Sequence, residues 1–485
     1  MADQRLVLAI VAAMAVFLLI YMLQMSNGFA HSATGIFPSS STSFSSASSV
    51  RAMGMMVPEG LRGHFSVRRQ LPLGAFRRHI DTAANSGNGG NGGFAFFVIG
   101  DFGTGDKVQR RVAHHLSKVA VNMGSHHLIL STGDNAYGRN DVERANGLDG
   151  VASATDRKFQ LYFEDVYPGL PGLVDVPWFL TLGNHDCAGN SEAQVQYRSK
   201  AWHMPAKYYS FERHLFSAAS SLAGSGAYNR LRVKFIVLDT CSLVCTNPDV
   251  PGLKVNKRCG TVKTGDNAER ERQLDWLDTQ LSSTTRENGF AFVIVSTHWS
   301  MFSVMGNGPT EVLQRDLLPR LKRVRNRGLS VLWFNGHDHS LQSHRLTYGA
   351  DSHSLHFFVS GGGGFHTHPV LKKNAEGAYT DLVGSSVGGK IAITGGNSST
   401  STSRGGGGSG RISNLSILKS TLNEIPGLVT QFASAMHGFL RVVLDEQGNK
   451  AVVEFYASLK GKDEATLIRT EEILSNDDVR NSQQK

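Results

Sequence analysis

Metal-binding side chains follow five short apolar runs of this sequence. Asp101 comes after FFVIG, Asp134 after LILSTG and Asn184 after FLTLG, and histidines follow the runs FVIVST and VLWFNG. Ligands of α/β proteins bind outside the carboxyl ends of the strands, so we expect these side chains to meet at one rim. Carboxylate, amide and imidazole groups in such a set suit a metal ion. The full set of candidate site residues is Asp101, Asp134, Tyr137, Asn184, His185, His298, His337 and His339.

Each candidate has a simpler interpretation when it is taken alone. An aspartate after a strand usually caps the next helix, and an asparagine in a tight turn usually stabilises that turn. An isolated histidine such as His298 is more often a packed rim residue, and Tyr137 alone would be a packing residue. Five such positions in order along the chain favour one shared site over unrelated coincidences.

The apolar runs predict the elements that position these residues. They are short, rich in Val, Ile and Phe, and do not alternate with polar residues, which is typical of strands buried on both faces. Ala268–Leu281 has leucines at helical spacing, and Gly438–Ser458 alternates around a turn and predicts a β-hairpin. We therefore expect an α/β fold with layered sheets. Glycines precede four of the polar positions, at 100, 133, 183 and 336, and are expected to let the backbone turn sharply.

The first residues predict a membrane anchor. Leu6–Leu23 is uninterrupted apolar sequence. As a helix it would be about 27 Å long, close to the thickness of a bilayer core and longer than the core of a cleaved signal peptide. Arg5 precedes it and no Lys or Arg follows before Arg51, so the positive-inside rule predicts a cytosolic N terminus. We therefore predict that residues 1–24 are the transmembrane signal-anchor of a single-pass type II protein.

The remainder of the chain is predicted to lie in a lumenal or extracellular compartment, in the endolysosomal system or at the cell surface. Cleavage after Gly28-Phe29-Ala30 is the alternative to an anchor, and it would produce a secreted protein. Two candidate N-glycosylation acceptors, Asn397 and Asn414, agree with translocation.

The four cysteines also agree with an oxidising compartment. Cys241, Cys245 and Cys259 lie in one short stretch, so we expect one disulfide among them. One thiol would then stay unpaired unless Cys187 lies close to it. Zinc binding is the alternative interpretation of this cluster, but it is disfavoured because the spacing lacks paired C-x-x-C motifs.

Low-complexity segments surround and interrupt the predicted folded region, residues 94–460. Residues 25–93 form a Ser/Arg/Gly-rich stalk that we expect to be disordered, a Gly/Ser-rich insertion spans 384–410, and the charged tail 461–485 is expected to fray. The net charge of +9 would suit nucleic-acid binding, but arginines crowd the stalk and no groove-reading motif accompanies them. We therefore expect no nucleic-acid partner, and the stalk arginines suit anionic lipid instead.

The ordered motifs identify a family resemblance. GDFG, GDNAY, GNHD, His298 after a buried run and GHDH resemble the five-block signature of calcineurin-like metallophosphoesterases. Tyr137 in the second block narrows the resemblance to purple acid phosphatases. WHMPAKYY, QLDWL, GHDHSLQ and HGFLRVVL resemble the small, mammalian-type (tartrate-resistant) members. The resemblance covers about residues 94–460 apart from the insertion, and it implies a layered α/β/β/α metallophosphoesterase sandwich.

The resemblance also implies an acid phosphatase with a pair of metal ions, Fe³⁺ together with Zn²⁺, Fe²⁺ or Mn²⁺. A metal-bound hydroxide would attack phosphomonoesters, either small molecules or phosphoproteins. His185 would stabilise and protonate the leaving group. Both ions would share Asp134, with Fe³⁺ also binding Asp101, Tyr137 and His339 and the divalent ion also binding Asn184, His298 and His337.

Several residues depart from the family pattern. Cys187 stands where related enzymes often carry histidine, and Trp299 lies in STHWSMFS, which replaces a more usual Gly-His-x-Pro run. His366 and His368 match no family ligand and are interpreted as loop residues. Asp338, between the last two ligands, is expected to orient the histidine rings or to shape their loop.

Two other functions remain as alternatives. A phosphodiesterase or pyrophosphatase of the same fold would use two divalent ions, and Tyr137 argues against it because those relatives usually lack a phenolate there. A non-catalytic surface protein is the alternative of another class, and the presence of every matched ligand argues against it.

Overall fold

The computed structural model describes ten ranges of the chain. No helix within those ranges is long and apolar enough to span a bilayer. The predicted anchor 1–24, the insertion 384–410 and the acceptors Asn397 and Asn414 lie outside them, as does nearly all of the stalk. The described ranges are 93–123, 127–138, 149–215, 231–245, 267–304, 309–350, 352–368, 370–373, 379–383 and 425–475.

The first of two large sheets contains the strands that precede the predicted carboxylate ligands. In spatial order its strands are β16 (Thr466–Leu474), β15 (Lys450–Ala457), β14 (Gly438–Asp445), β1 (Gly93–Ile99), β2 (His127–Ser131), β3 (Trp178–Phe179) and β4 (Trp202–His203). β1 to β4 pair in parallel, whereas β14 to β16 add to β1 in antiparallel order. The carboxyl ends of β1, β2 and β3 therefore lie at the same edge of the sheet.

The second large sheet contains the strands that precede the predicted histidine ligands. In spatial order its strands are β13 (Leu428–Ser434), β9 (Leu341–Tyr348), β10 (His353–Ser360), β8 (Ser330–Asn335), β7 (Phe290–Ser296), β6 (Arg232–Val237) and β5 (Tyr209–His214). β6, β7, β8 and β10 pair in parallel. A separate two-stranded sheet is formed by β11 (Val370–Lys373) and β12 (Tyr379–Val383).

Helices pack on the outer faces of the two sheets. α1 (Lys107–Val121) contributes Leu116 to a cluster with the first sheet. α6 (Asn267–Ser282) and α7 (Glu311–Asn326) contribute Leu277 and Leu317 to a cluster with the second. Between the sheets, the Phe96 ring lies 5.3 Å from Phe235 and 6.0 Å from Phe334, centroid to centroid. The layers are thus helix, sheet, sheet and helix. The helices are α1 (Lys107–Val121), α2 (Arg157–Phe159, continuing as a π turn at Gln160–Glu164), α3 (Asn184–Ala188), α4 (Ser191–Gln196), α5 (Thr240–Cys245), α6 (Asn267–Ser282) and α7 (Glu311–Asn326).

Two local predictions are confirmed and one is wrong. α6 covers the predicted helix, and β14 and β15 form the predicted hairpin. The tail 461–485 does not fray throughout, because β16 extends the first sheet by pairing with β15. Its charge-rich sequence suggested full solvation, but Glu471 is buried, where it accepts hydrogen bonds from Ser343 Oγ at 2.5 Å and Arg469 Nε at 3.2 Å.

Candidate metal centre

One carboxylate oxygen, Oδ2 of Asp134, lies between two groups of donor atoms. In the first group the Tyr137 hydroxyl is 3.0 Å from this oxygen and 3.2 Å from Asp101 Oδ1. His339 Nε2 completes the group, 3.4 Å from the Tyr137 oxygen and 3.3 Å from Asp101 Oδ1. These four residues are the ones that the sequence predicted for Fe³⁺.

The second donor group lies on the other side of Asp134. His298 Nε2 is 3.4 Å from Asp134 Oδ2 and 3.0 Å from Asn184 Oδ1. His337 Nδ1 is 2.8 Å from the same asparagine oxygen. These four residues are the ones that the sequence predicted for the divalent ion.

The spacing of these donor atoms fits metal coordination. Ligand atoms bind transition ions at about 2.0–2.2 Å, so two ligands at right angles are separated by about 3 Å. The contacts range from 3.0 to 3.4 Å in the first group and from 2.8 to 3.4 Å in the second. A closely spaced cluster of Asp101, Asp134 and His298, all buried, is one group that could hold an ion. The donor set therefore fits two ions that share one carboxylate.

Burial makes this arrangement electrostatically demanding. The Asp101 and Asp134 side chains are 0% and 1% exposed. Burial raises the pKa of the Asp101 carboxyl well above its usual range, and the Asp134 charge adds to this despite the opposing effect of His298. Burial likewise raises the pKa of the Tyr137 phenol, and the same two carboxylates add to it. Cations at this place would reverse these effects and favour the ionised ligands.

The backbone holds three of these residues in a conformation that non-glycine residues rarely adopt. Asp101, Asp134 and His337 have positive φ angles of 58°, 53° and 69°. Only two other non-glycine residues in the described ranges, Asp175 and Ser352, share this conformation. Such backbone strain concentrates at functional sites, where the surrounding fold enforces it.

The glycines before the ligands serve mainly to leave space. A Cβ atom on Gly183 would lie 2.1 Å from Asp134 Oδ1, and one on Gly336 would lie 2.3 Å from Asp101 Oδ2. Of the four glycines, only Gly133 has a positive φ angle, at 92°. Gly133 is therefore the one of the four whose φ angle favours glycine. Gly183 and Gly336 leave room for carboxylates, and Gly100 leaves room for the Thr132 hydroxyl, which a Cβ atom would approach to 2.0 Å.

Hydrogen bonds to backbone carbonyl groups fix which ring nitrogen His298 and His339 present to the donor groups. His298 Nδ1 donates to the Thr132 carbonyl at 2.8 Å, and His339 Nδ1 donates to the His366 carbonyl at 2.7 Å. Each ring therefore presents Nε2 to the donor group. His337 instead presents Nδ1, and its ring stacks on Trp299 at 5.1 Å between centroids.

The loop Phe365–His368, which the sequence left without a role, supports the first donor group. The Phe365 ring stacks on Tyr137 with centroids 4.1 Å apart. His368 Nδ1 accepts from the backbone N–H of His339 at 3.2 Å, and the two rings stack at 4.0 Å. His366 acts through its carbonyl, while its side chain is exposed. The Asp338 carboxylate approaches this loop as well, with Oδ1 at 3.9 Å from His368 Nδ1.

His185 lies beside the shared carboxylate without joining either donor group. Its backbone N–H donates to Asp134 Oδ1 at 2.9 Å, and its Nδ1 is 2.9 Å from Asp149 Oδ2. Its Nε2 is 4.0 Å from Asp134 Oδ2. Burial acts to lower the His185 pKa, but the Asp134 and Asp149 carboxylates outweigh it and raise the pKa above its usual value. Asp149 was missed from the sequence because nothing in its local pattern connects it to His185.

A second missed residue, Asp186, joins the loops after β2 and β3. Its carboxylate accepts from the backbone N–H groups of Asn135 at 3.0 Å, Ala136 at 3.1 Å and Gly183 at 2.8 Å. Burial, aided by the Asp134 charge, raises the Asp186 pKa to about 7. Its position in GNHD, directly after His185, was the one signal that could have indicated a supporting role.

The structure determines a cysteine pairing that the sequence left open. Cys187 forms a disulfide with Cys241, and Cys245 is disulfide-bonded as well. No cysteine in the described ranges is free. The zinc alternative is therefore wrong for these three residues, because their sulfur atoms are not thiolates.

Comparisons with known proteins agree with this geometry. Residues 94–341 match the calcineurin-like phosphoesterase family model. The tartrate-resistant acid phosphatase type 5 of Sus scrofa is 31% identical over 277 residues, which is 56% of this chain and 69% of that protein. The human protein of the same name is 29% identical over 57% of this chain and 75% of its own length. Purple acid phosphatase 4 of Arabidopsis thaliana is 29% identical over 56% of this chain and 68% of its own length.

A solved structure shares the fold. GAP50, described as the anchor in the inner membrane complex of Plasmodium, aligns with a TM-score of 0.50 and 20% identity. The alignment covers 79% of this chain and 90% of GAP50. By its family match and its relatives, the chain belongs to the calcineurin-like phosphoesterases and is homologous to the purple acid phosphatases, which are hydrolases.

Proposed function

We propose that this protein is an acid phosphatase that hydrolyses phosphomonoesters at a two-ion centre. The observation that carries the proposal is the Asp134 Oδ2 atom, which lies 3.0 Å from a phenol oxygen on one side and 3.4 Å from an imidazole nitrogen on the other. A carboxylate shared in this way suits two ions held side by side. The homology to purple acid phosphatases supports the same reaction class.

The two donor groups differ in chemical hardness, which suggests different ions. We propose that Fe³⁺ binds the first group, because phenolate and carboxylate oxygens suit a hard trivalent ion. Zn²⁺, Fe²⁺ or Mn²⁺ would bind the second group, which contains more nitrogen. The first group consists of Asp101, Tyr137, His339 and Asp134, and the second consists of Asn184, His298, His337 and Asp134.

The chain's own residues would orient the substrate and assist the leaving group. When bound, the two ions would polarise the phosphoryl oxygens and activate water as the nucleophile. His185 presents Nε2 toward the shared carboxylate while Asp149 holds Nδ1, so Nε2 is the atom available to a leaving oxygen. The backbone N–H groups of His337 and His185 donate to the Asp101 and Asp134 carboxylates and hold them in place, which reduces the reorganisation that substrate binding requires.

We also propose that residues 1–24 anchor the enzyme as a type II membrane protein, with the fold on the lumenal or extracellular side. The uninterrupted apolar run Leu6–Leu23 and the absence of Lys and Arg between it and Arg51 support this proposal. The disulfide between Cys187 and Cys241 agrees with an oxidising compartment.

Replacing Tyr137 with phenylalanine should remove the colour expected of the iron site. Charge transfer from a phenolate to Fe³⁺ should make the wild-type protein violet, and Tyr137→Phe should bleach it. Tyr167→Phe is the matched control, because Tyr167 is also fully buried but bonds to Gln109 outside both donor groups. Visible absorption and metal analysis decide the result. A colourless, iron-free but fully active wild type would instead favour the phosphodiesterase or pyrophosphatase alternative.

Replacing His185 with alanine should slow substrates with poor leaving groups most. General-acid assistance is typically worth about 10²–10⁴-fold, and an alkyl phosphate needs it more than p-nitrophenyl phosphate does. Asp149→Asn should cause a smaller loss of the same kind, because it weakens the contact that orients the His185 ring. Equal losses of kcat on both substrates would remove the acid role. A metal-loaded wild type that hydrolyses neither substrate would indicate the non-catalytic alternative.

Replacing His368 with alanine should weaken iron binding, whereas replacing His366 should not. His368→Ala removes the acceptor of the His339 N–H and the ring stacked on it. Residues that orient ligands typically contribute about 10–100-fold to metal affinity. His366→Ala is the matched control, because it keeps the main-chain carbonyl that accepts from His339 Nδ1. It removes an exposed ring that lies 5.4 Å from the His339 ring, whereas the stacked His368 ring lies at 4.0 Å. Iron retention during dialysis against a chelator measures the iron affinity of each variant. Equal retention in the two variants would contradict the role of His368.

Deleting residues 1–30 and supplying a cleavable signal should give a soluble, secreted enzyme with unchanged kcat, because every candidate site residue follows them. The wild type should remain with membranes after an alkaline wash, and added protease should digest its catalytic region only from the lumenal or outer side. Digestion from the cytosolic side would overturn the topology. A mature N terminus near His31 would show that the segment is a cleaved signal.

A further inference from the structure

We propose that the Cys187–Cys241 disulfide positions Asn184 and thereby sets the affinity of the centre for its divalent ion. The inference rests on the proposed two-ion function, and it concerns only the second donor group. It assigns a role to a pair of cysteines that the sequence could not connect.

The disulfide joins the two sheets on the side of the second donor group. Cys187 lies in α3, which follows β3 of the first sheet, and Cys241 lies in α5, which follows β6 of the second sheet. The second donor group needs this junction, because Asn184 comes from the first sheet while His298 and His337 come from the second. Any separation of the sheets at this edge would lengthen the contact of 3.0 Å between Asn184 and His298.

At one end, the disulfide contacts the turn that carries Asn184. Asn184 and Cys187 are three residues apart in the five-residue helix α3, so they lie on the same helical face. The N–H of Cys187 donates to the Gly183 carbonyl at 2.9 Å, and Cys241 Sγ approaches the same carbonyl at 3.4 Å. Both sulfur-bearing residues therefore contact the peptide group directly before Asn184. A helix this short has little stability of its own and depends on such contacts.

At the other end, α5 contacts the segment that carries His298. Thr240 Oγ1 accepts from the backbone N–H groups of His298 at 3.4 Å and Trp299 at 3.3 Å. Asp239 fixes the start of the helix, because its Oδ1 accepts from the N–H of Cys241 at 3.0 Å. Helix α6 holds this segment in place, because Gln273 Oε1 accepts from the N–H of Asp239 at 2.9 Å. Thr240 and Cys241 thus connect a fixed helix to both segments that supply the divalent-ion ligands.

The first donor group is held by other means. Tyr137 and His339 are positioned by ring stacking and hydrogen bonds from Phe365, His366 and His368. Asp186 also restrains the Asn184 turn through the Gly183 N–H, so loss of the disulfide should weaken the divalent-ion site without abolishing it. Loss of a supporting contact typically lowers metal affinity about 10–100-fold.

The test compares metal binding by the full-length protein and by Cys187→Ser/Cys241→Ser. We expect about 10–100-fold weaker binding of added Zn²⁺ or Mn²⁺ in the double variant, with iron content and the violet absorption unchanged. Excess divalent ion should restore divalent occupancy. Cys245→Ser is the matched control, because it also breaks a disulfide of α5, whereas the sulfur that approaches the Gly183 carbonyl belongs to Cys241.

Three outcomes would overturn the inference: unchanged divalent-ion affinity, equal loss of iron and divalent ion, or the same loss in Cys245→Ser. If the serine variant does not fold, Cys187→Ala/Cys241→Val keeps the buried positions apolar and takes its place. Metal binding is measured without substrate, so the result is independent of turnover. A wild type that binds both ions but hydrolyses no phosphomonoester would refute the proposed function and leave this inference intact.

Discussion

The burial of two carboxylates at the edge between two sheets is the constraint on which the rest of this structure depends. Asp101 and Asp134 are at most 1% exposed, and within the described ranges their ion pairs are with histidines. Neutral imidazoles do not balance buried negative charge, and an uncompensated buried carboxylate is strongly destabilising. Cations bound between the sheets would supply the compensation, so the stability of this edge and the chemistry of the site have a common origin.

The two-sheet core explains how seven donor residues can be fixed so closely. β1, β2 and β3 end at one edge and β7 and β8 end beside them, because Phe96 packs against both Phe235 and Phe334 across the interface. Each donor group takes residues from both sheets, so neither sheet alone could form it. The positive φ angles of Asp101, Asp134 and His337 are sustained by this packing, because an isolated loop would relax them.

Sequence patterns identified the residues of the two donor groups but not the residues that hold those groups in place. Asp101, Asp134 and Asn184 were identifiable because each follows a buried strand, a relation set by the chain itself. Asp149 contacts His185 at 2.9 Å from 36 positions away in the chain, and only the tertiary fold brings it there. The pairing of Cys187 with Cys241, 54 positions apart, was undetermined for the same reason. β16 was missed because its composition resembles that of a solvated tail. One face of this strand is exposed, and the charged Glu471 is buried and hydrogen-bonded.

Ring packing of Tyr137 connects the metal-binding and leaving-group functions of the proposed enzyme. Its ring lies against Phe365, at 4.1 Å, and against His185, at 4.5 Å. Its oxygen is at the same time 3.0 Å from the shared carboxylate of Asp134. A change that lets the His185 ring move would therefore also release one neighbour of the phenol. Since the phenol is the group expected to give the iron its colour, the absorption of a His185 variant reports whether the metal side has been disturbed. Only a variant that keeps the wild-type spectrum isolates the role of His185 in proton transfer.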